Sequence, residues 1–200
     1  MGDFPIIILD FETTGLSPQR GDRAIEIGAV LIDQNRIVDR FHSLMNPGIS
    51  VNPFIQGLTG ITNAMVRSAP DGAGVMTEFL EFMGDYPLAA HNAPFDGRFL
   101  DAELARIGRT RTSEMVCTLR TARRIYPHLQ SHNLESLVRY KNLQVNGAFH
   151  RAAADAEMTA RLWLAMIEDI KKFYNVAGVS LDSLQKLSRI ARAKAQKFFV

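Results

Sequence analysis

An apolar run that leads directly into two acids constrains this chain more than any other feature. The run, Pro5 to Leu9, has the length and branched side chains of a buried β-strand, and Asp10 and Glu12 follow it. Side chains two residues apart on a strand share a face, so both carboxylates point one way and Phe11 the other. Ligand sites of α/β sheets form at the carboxyl ends of such strands. The pattern predicts a central strand that presents two acids to a ligand.

Two further acidic motifs follow, each beginning with a histidine: HNAPFD at residues 91–96 and HRAAAD at residues 150–155. Pro94 favours a helix start, which places Asp96 in the first helical turn. His150 and Asp155 would diverge by about 140° on one helix. We therefore expect His150 in the loop after Gly147 and Asp155 in the first turns of an alanine-rich helix. Each motif alone is compatible with an ordinary helix start, and only their occurrence together indicates a shared site.

The three motifs supply four carboxylates and one histidine, namely Asp10, Glu12, Asp96, Asp155 and His150. Two carboxylates on one face repel each other unless a cation lies between them. Oxygen ligands without thiolates favour Mg²⁺ or Mn²⁺ over zinc. A histidine titrates near ~6.5, which suits a general base. The sequence has neither a GxxxxGK phosphate loop nor a GxGxxG fingerprint, so the residues favour a metal-dependent nuclease over an NTPase or a dehydrogenase.

Length and composition are those of one globular domain, with 200 residues and 46% hydrophobic content. The single cysteine, Cys117, excludes an internal disulfide framework and predicts a small buried side chain. The start of the sequence shows no charged-then-apolar leader, and its longest apolar run there is too short to span a membrane. We expect a soluble, cytoplasmic protein without a membrane partner.

Basic residues are concentrated in two segments, although the net charge is only +2. Residues 117–141 carry five basic residues against one acid, residues 186–200 carry five and no acid, and the remainder is acidic. Basic flanks beside an acidic metal site suit the binding of phosphates. Solvated helix faces are the alternative, and it stays open, above all for the C-terminal segment.

Local patterns predict strands at residues 4–10, 24–33, 36–45 and 87–90, with a hairpin turn at Gln34-Asn35. Residues 47–60 read as irregular, with a short helix at most. Helices are predicted at residues 74–84, 94–107, 133–137, 152–173 and 181–198, the third of them capped by Asn133. Strands first, then helices alternating with short strands, predict an α/β sheet of mixed direction.

The motifs DFETTGL, HNAPFD and HRAAAD resemble those of the DEDDh 3′–5′ exonucleases, the DnaQ-like family of the DNA polymerase III epsilon subunit and RNase T. The resemblance covers roughly residues 4–172, and the histidine of the third motif is typical of the "h" branch. It implies an RNase H-like mixed five-stranded sheet flanked by helices. The implied organisation is an exonuclease domain at residues 1–175 and a basic C-terminal helical extension at residues 176–200.

The resemblance also implies a role for each site residue. Asp10 would bridge two divalent cations, Mg²⁺ or Mn²⁺. Glu12 and Asp155 would complete the cation site that activates water, and Asp96 would help hold the cation at the leaving 3′ oxygen. His150 would act as the general base, and the product would be a 5′-mononucleotide. The terminal nucleotide would be contacted by Thr13, Gly15, Leu16, His91, Asn92 and Phe95.

Three functions are compatible with these motifs. The favoured one is removal of nucleotides from single-stranded or frayed DNA 3′ ends in replication proofreading or repair, which implies a polymerase partner. The alternative is an RNA 3′-end trimming exonuclease of the RNase T or oligoribonuclease kind, usually a homodimer, which needs groups aimed at the 2′-OH. A non-catalytic nucleic-acid-binding module is the third, and the intact acids and His150 argue against it, since binding requires none of them.

Overall fold

A mixed five-stranded sheet forms the centre of the computed structural model, which describes residues 4–112, 114–144, 149–195 and 198. The strands are β1 (Ile6–Thr13), β2 (Ala24–Asp33), β3 (Arg36–Leu44), β4 (Leu88–Ala90) and β5 (Val116–Cys117), in the order β3-β2-β1-β4-β5. Strand β2 is antiparallel to β1 and β3, whereas β1, β4 and β5 run parallel. The predicted fold class is confirmed.

Strand β1 lies at the centre of the sheet, and its side chains are buried on both faces. Ile6 and Ile8 pack into one hydrophobic cluster, and Ile7 and Leu9 pack into another on the opposite face. All four are fully buried. The strand continues to Thr13, three residues beyond its predicted end, so Asp10 and Glu12 both lie within it.

Nine helices of the described residues surround the sheet: α1 (Pro53–Thr59), α2 (Asn63–Ser68), α3 (Gly72–Met83), α4 (Ala93–Arg106), α5 (Thr118–Ile125), α6 (Leu134–Tyr140), α7 (Ala152–Tyr174), α8 (Leu181–Arg189) and α9 (Arg192–Ala195). Helices α3 and α4 pack on the face of Ile7 and Leu9. Helices α5, α7 and α8 pack on the face of Ile6 and Ile8. No helix among the described residues is long and apolar enough to cross a membrane.

Several local predictions are confirmed. Gln34 and Asn35 connect β2 to β3 with φ angles of 47° and 59°, as a tight hairpin turn requires. The Asn133 side chain caps α6 by accepting a hydrogen bond from the Ser136 amide at 2.8 Å. Cys117 is buried and unpaired.

Other local predictions need correction. The stretch at residues 47–60 holds one short helix, α1, as predicted, but helix α2 after it was not predicted. Strand β5 and helix α5 were not predicted. The predicted helix at residues 181–198 is instead two short helices, because Ile190 adopts an extended conformation with φ −66° and ψ 158°.

Candidate active site

Strand β1 presents two carboxylates on the face that packs against α7. Asp10 and Glu12 alternate with Phe11, which is buried among the side chains of the opposite face. Asp10 pairs with Gly28 and Glu12 pairs with Glu26 on the neighbouring strand β2. The period-2 prediction for these acids is therefore confirmed, and both remain partly exposed to a cleft.

Helix α4 brings the second motif to β1. Pro94 lies in its first turn and Asp96 follows, 2% exposed. The Phe11 amide donates a hydrogen bond to Asp96 Oδ1 at 3.2 Å. This bond fixes the carboxylate of the second motif beside the strand that carries the first, across 85 residues of sequence.

A hydrogen bond joins the first and last residues of the third motif at the start of α7. The His150 amide donates a hydrogen bond to Asp155 Oδ2 at 3.0 Å, and His150 has a φ of 64°. His150 lies before the helix and Asp155 in its first turn, as predicted, although Gly147 lies outside the described residues. Asp155 Oδ1 is buried and has no hydrogen-bond partner among the described residues. That oxygen is left for a ligand.

The four carboxylates disfavour one another's ionised form. Burial raises the pKa of Asp10 well above its usual range, and repulsion from Asp96, Asp155 and Glu12 adds to the effect. Burial and repulsion from Asp155 raise the pKa of Glu12 to about 8. Burial likewise raises the pKa of Asp96 to about 7 and that of Asp155 to about 6. Repulsion acts between Asp10 and each of the other three acids, so Asp10 lies near all of them.

The donors fit hard divalent cations. One ligating atom from each of Glu12, His150 and Asp155 lies within 4.8 Å of the others. Asp155 Oδ1 supplies an unsatisfied buried oxygen at the same place. Carboxylate oxygens without thiolates are the ligands that Mg²⁺ and Mn²⁺ prefer, and a bound cation would relieve the repulsion among the acids. The donors therefore form a candidate metal site of the predicted chemistry.

Glu26, which the sequence analysis did not single out, anchors the third motif. Its fully buried carboxylate accepts hydrogen bonds from Arg151 Nη2 at 2.7 Å and from the Ala152 amide at 2.9 Å, and His42 Nε2 lies at 2.7 Å. Burial alone would raise the pKa of Glu26, but these hydrogen bonds outweigh it and lower that pKa. An acid inside the apolar run AIEIGAV was the available signal, since a buried carboxylate requires partners.

Gly28 permits the close approach of β2 and α7. A Cβ atom at this position would lie 2.3 Å from the Ala152 backbone. Any larger residue would therefore displace the start of α7, and with it Asp155 and His150. The absence of a side chain at Gly28 and the carboxylate of Glu26 together set where the third motif meets β1.

His91, a predicted substrate contact, has both ring nitrogens engaged. Its Nε2 lies 2.9 Å from the His132 carbonyl and its Nδ1 lies 2.8 Å from the Thr118 hydroxyl. Burial lowers the pKa of His91 to about 4, so its ring is neutral at physiological pH. A carbonyl only accepts hydrogen bonds, so Nε2 carries the proton and Nδ1 accepts from Thr118. His91 thus links the second motif to the loop before α6, and both of its ring nitrogens already have partners.

The other predicted substrate contacts differ in exposure. Leu16 is 76% exposed, and Phe95 is half-buried and packs against Phe99. Asn92 is exposed, and its backbone lies in the left-handed region of φ. Thr13 is buried, and its hydroxyl donates to the Gly15 carbonyl at 2.6 Å. A side chain at Gly15 would collide with the Asp22 carboxylate. Thr13 and Gly15 therefore stabilise the turn after β1. Substrate contact by all six predicted residues remains a prediction.

Comparison with known proteins agrees with this geometry. The RNase T exonuclease family model matches residues 7–163. The chain is 38% identical over 171 residues to the PolC-type DNA polymerase III of Caldanaerobacter subterraneus subsp. tengcongensis, and 38% identical over 189 residues to that of Thermotoga maritima. These alignments cover 86% and 93% of the chain but only 12% and 13% of the polymerases.

The solved structure of Exonuclease X in complex with 5′-overhanging duplex DNA matches with a TM-score of 0.73. The match covers 92% of this chain and 99% of that one, at 26% identity. The chain spans about an eighth of the length of the PolC relatives, so it corresponds to their exonuclease domain. The family model over residues 7–163, the PolC relatives and the shared fold show that the chain belongs to the DEDDh family of 3′–5′ exonucleases.

Proposed function

We propose that this exonuclease removes 5′-mononucleotides from single-stranded or frayed DNA 3′ ends, using two Mg²⁺ or Mn²⁺ ions. The observation that carries the proposal is the grouping of the four carboxylates and His150 around β1. Asp10, His150 and Asp155 line one cleft, a carboxylate oxygen of Glu12 lies within 4.8 Å of ligating atoms of His150 and Asp155, and Asp96 accepts a hydrogen bond from the Phe11 amide of β1. The preference for DNA is supported by PolC-type polymerases at 38% identity and by Exonuclease X, whose structure holds DNA.

The carboxylates would hold the cations, which stabilise the attacking and leaving oxygens of an in-line displacement when they are bound. Asp10 would contribute to both sites because the other three acids all lie close enough to repel it. Glu12 and Asp155 would share one site, where Asp155 Oδ1 is unpartnered. Asp96, held by the Phe11 amide, would complete the second site.

His150 would accept the proton of the attacking water. Its side chain is exposed to the cleft, and one ring nitrogen lies within 4.8 Å of carboxylate oxygens of Glu12 and Asp155. Its backbone is fixed by the hydrogen bond to Asp155. The ring can therefore reach a water molecule held beside those carboxylates without any rearrangement of the loop.

Exposed apolar groups would position the terminal nucleotide. Leu16 projects from the turn after β1, and Phe95 lies in the first turn of α4 beside Asp96. An aliphatic wedge and an aromatic ring contact any base without reading its identity. A strand end held in this way has to be unpaired, which favours frayed or mispaired primer ends left by a DNA polymerase as substrates.

The decisive experiment compares four 5′-labelled substrates of one sequence: single-stranded DNA, duplex DNA with a mispaired 3′ end, fully paired duplex, and RNA. We expect a ladder of successively shorter products from the first two in Mg²⁺ or Mn²⁺, slower loss from paired duplex, and no product in chelator. The Asp10→Asn variant controls for contaminating nuclease. Equal or faster degradation of RNA would refute the DNA preference, and internal cleavage would refute the exonuclease mechanism.

A further inference from the structure

A second groove opens beside the catalytic cleft. The cleft, of about 230 Å³, is lined by residues that include Asp10, His150 and Asp155. The neighbouring groove, of about 500 Å³, runs between α5, the loop before α6 and the C-terminal segment. His91, Asn133 and Leu134 line both. A strand whose 3′ end occupies the cleft can therefore continue directly into the groove.

Two arginines give this groove its charge. Arg123 is half-buried on α5, and Arg192 is exposed at the start of α9. Within the described part of the chain, neither forms an ion pair with a carboxylate, unlike Arg111, Arg139 and Arg189, which pair with acids. Two uncompensated guanidinium groups in one groove repel each other, and an anion between them would remove that repulsion.

The C-terminal segment holds Arg192 in place. Arg124 donates from Nε and Nη2 to the Ile190 carbonyl, at 2.9 and 2.5 Å. Leu184 and Leu187 of α8 are fully buried in the core that includes α7. Arg192 follows directly after this anchored turn. Its backbone is therefore held beside the groove by the contacts of the preceding residues.

We propose that this groove binds backbone phosphates of the nucleotides that precede the terminal one, with Arg123 and Arg192 as the phosphate-binding groups. The inference rests on the proposed function, because it extends the path of the same DNA strand. Guanidinium groups bind phosphate oxygens through paired hydrogen bonds. Such contacts fix the register of a strand and carry no sequence information, as an exonuclease that moves along any sequence requires.

The C-terminal extension thereby acquires a defined role in substrate binding. Truncation would not test this role, because removal of Leu184 and Leu187 opens the core. Point substitutions at the arginines leave the core intact. Lys194 offers a matched control, because it is exposed on the same helix, carries the same charge and does not line the groove.

The test measures kcat/KM for Arg123→Gln, Arg192→Gln and Lys194→Gln on a dinucleotide and on single-stranded DNA of about 12 nucleotides, at several salt concentrations. We expect each arginine variant to lower kcat/KM on the longer strand by about two- to fivefold, the range of an exposed charge pair. The dinucleotide rate should not change, because that substrate does not reach the groove. The salt slope on the longer strand should fall by about 0.7 for each lost contact.

Arg123→Lys adds a control for folding at the half-buried position, because it keeps the charge and should recover part of the loss. Equal losses on both substrates, or an equal loss in Lys194→Gln, would overturn the proposal, since either would indicate an effect that is not localised to the groove. Unchanged kcat/KM and salt slope in both arginine variants would overturn it as well.

A binding measurement separates this proposal from the proposed function. Fluorescence anisotropy of labelled single-stranded DNA with the Asp10→Asn protein reports binding without hydrolysis. A loss of affinity on adding Arg192→Gln to this background supports the groove even if wild-type protein degrades no DNA. Hydrolysis by wild-type protein together with unaltered affinity in the double variant would refute the groove alone.

Discussion

The metal-free protein should lose stability as the pH rises above neutrality. In the folded state, burial and mutual repulsion raise the pKa of Glu12 from 4.5 to about 8 and that of Asp96 from 3.8 to about 7. The folded protein therefore binds more protons than the unfolded chain between these values. Stability falls with pH wherever the folded state holds the extra protons, so ionisation of the acids destabilises the fold.

The loss of stability is best evaluated between about pH 6.5 and pH 8.5. Below that range His91 has the opposite effect on stability, because its pKa is lowered to about 4 in the folded state. As the pH falls, His91 is therefore protonated first in the unfolded chain, which favours unfolding. Within the range, Glu12 should contribute a loss of about 2 kcal/mol and Asp96 about 1 kcal/mol. These contributions overlap because the acids interact. We expect a total loss of about 2 to 3 kcal/mol.

Urea unfolding in chelator at the two pH values measures this loss directly. Saturating Mg²⁺ or Mn²⁺ should abolish it, because cations favour the ionised carboxylates. Glu12→Gln should remove most of the loss, whereas Asp85→Asn, at an exposed acid in the turn before β4, should leave it unchanged. A free energy of unfolding that stays constant or rises with pH in chelator would refute the electrostatic account of the site.

Three substitutions test individual roles. Asp10→Asn should abolish hydrolysis, while metal-free stability stays the same or rises because one repelling charge is gone; turnover near the wild-type rate would refute the central metal-ligand role. His150→Ala should slow hydrolysis by about 10²–10⁴-fold and flatten the rise of rate with pH, with stabilisation by Mg²⁺ retained; a wild-type pH–rate profile would assign the proton to another group. Glu26→Gln should lower activity by about 10–100-fold and raise the Mg²⁺ concentration that gives a half-maximal rate. The control is Glu157→Gln, which lies further along α7 and removes ion pairs with Arg40 and Arg161. Equal metal requirements in the two variants would contradict a positioning role for Glu26.

Features set by local chemistry could be predicted from the sequence. Alternation on β1 gave the shared face of Asp10 and Glu12, and the Asn133 cap and the Gln34-Asn35 turn follow from side chains and backbone within a few residues. The groups that hold the site together could not be predicted, because their partners are distant in sequence. Glu26 binds residues 125 and 126 positions away.

The C-terminal segment shows the same limit. A continuous amphipathic pattern predicted one helix, yet the chain breaks at Ile190, where two hydrogen bonds from Arg124 reach a carbonyl 66 residues away. The local pattern contains no sign of that interaction. After the break Arg192 lines the groove beside the cleft, where we propose that it binds phosphate.

The charges of the site residues relate how these residues are held in place to the chemistry that they can perform. Glu26 is matched by Arg151, so the pair leaves no net charge beside the cleft. Of the remaining four acids, Asp96 and Asp155 accept hydrogen bonds from the backbone amides of Phe11 and His150, which fix these carboxylates without neutralising them. Four ionised carboxylates carry the charge that two divalent cations would balance. Without cations, the raised pKa values of Asp10 and Glu12 favour their protonated forms at neutral pH. We therefore expect all four acids to be ionised together at neutral pH only with cations bound, which would make metal binding a condition of the proposed catalytic arrangement.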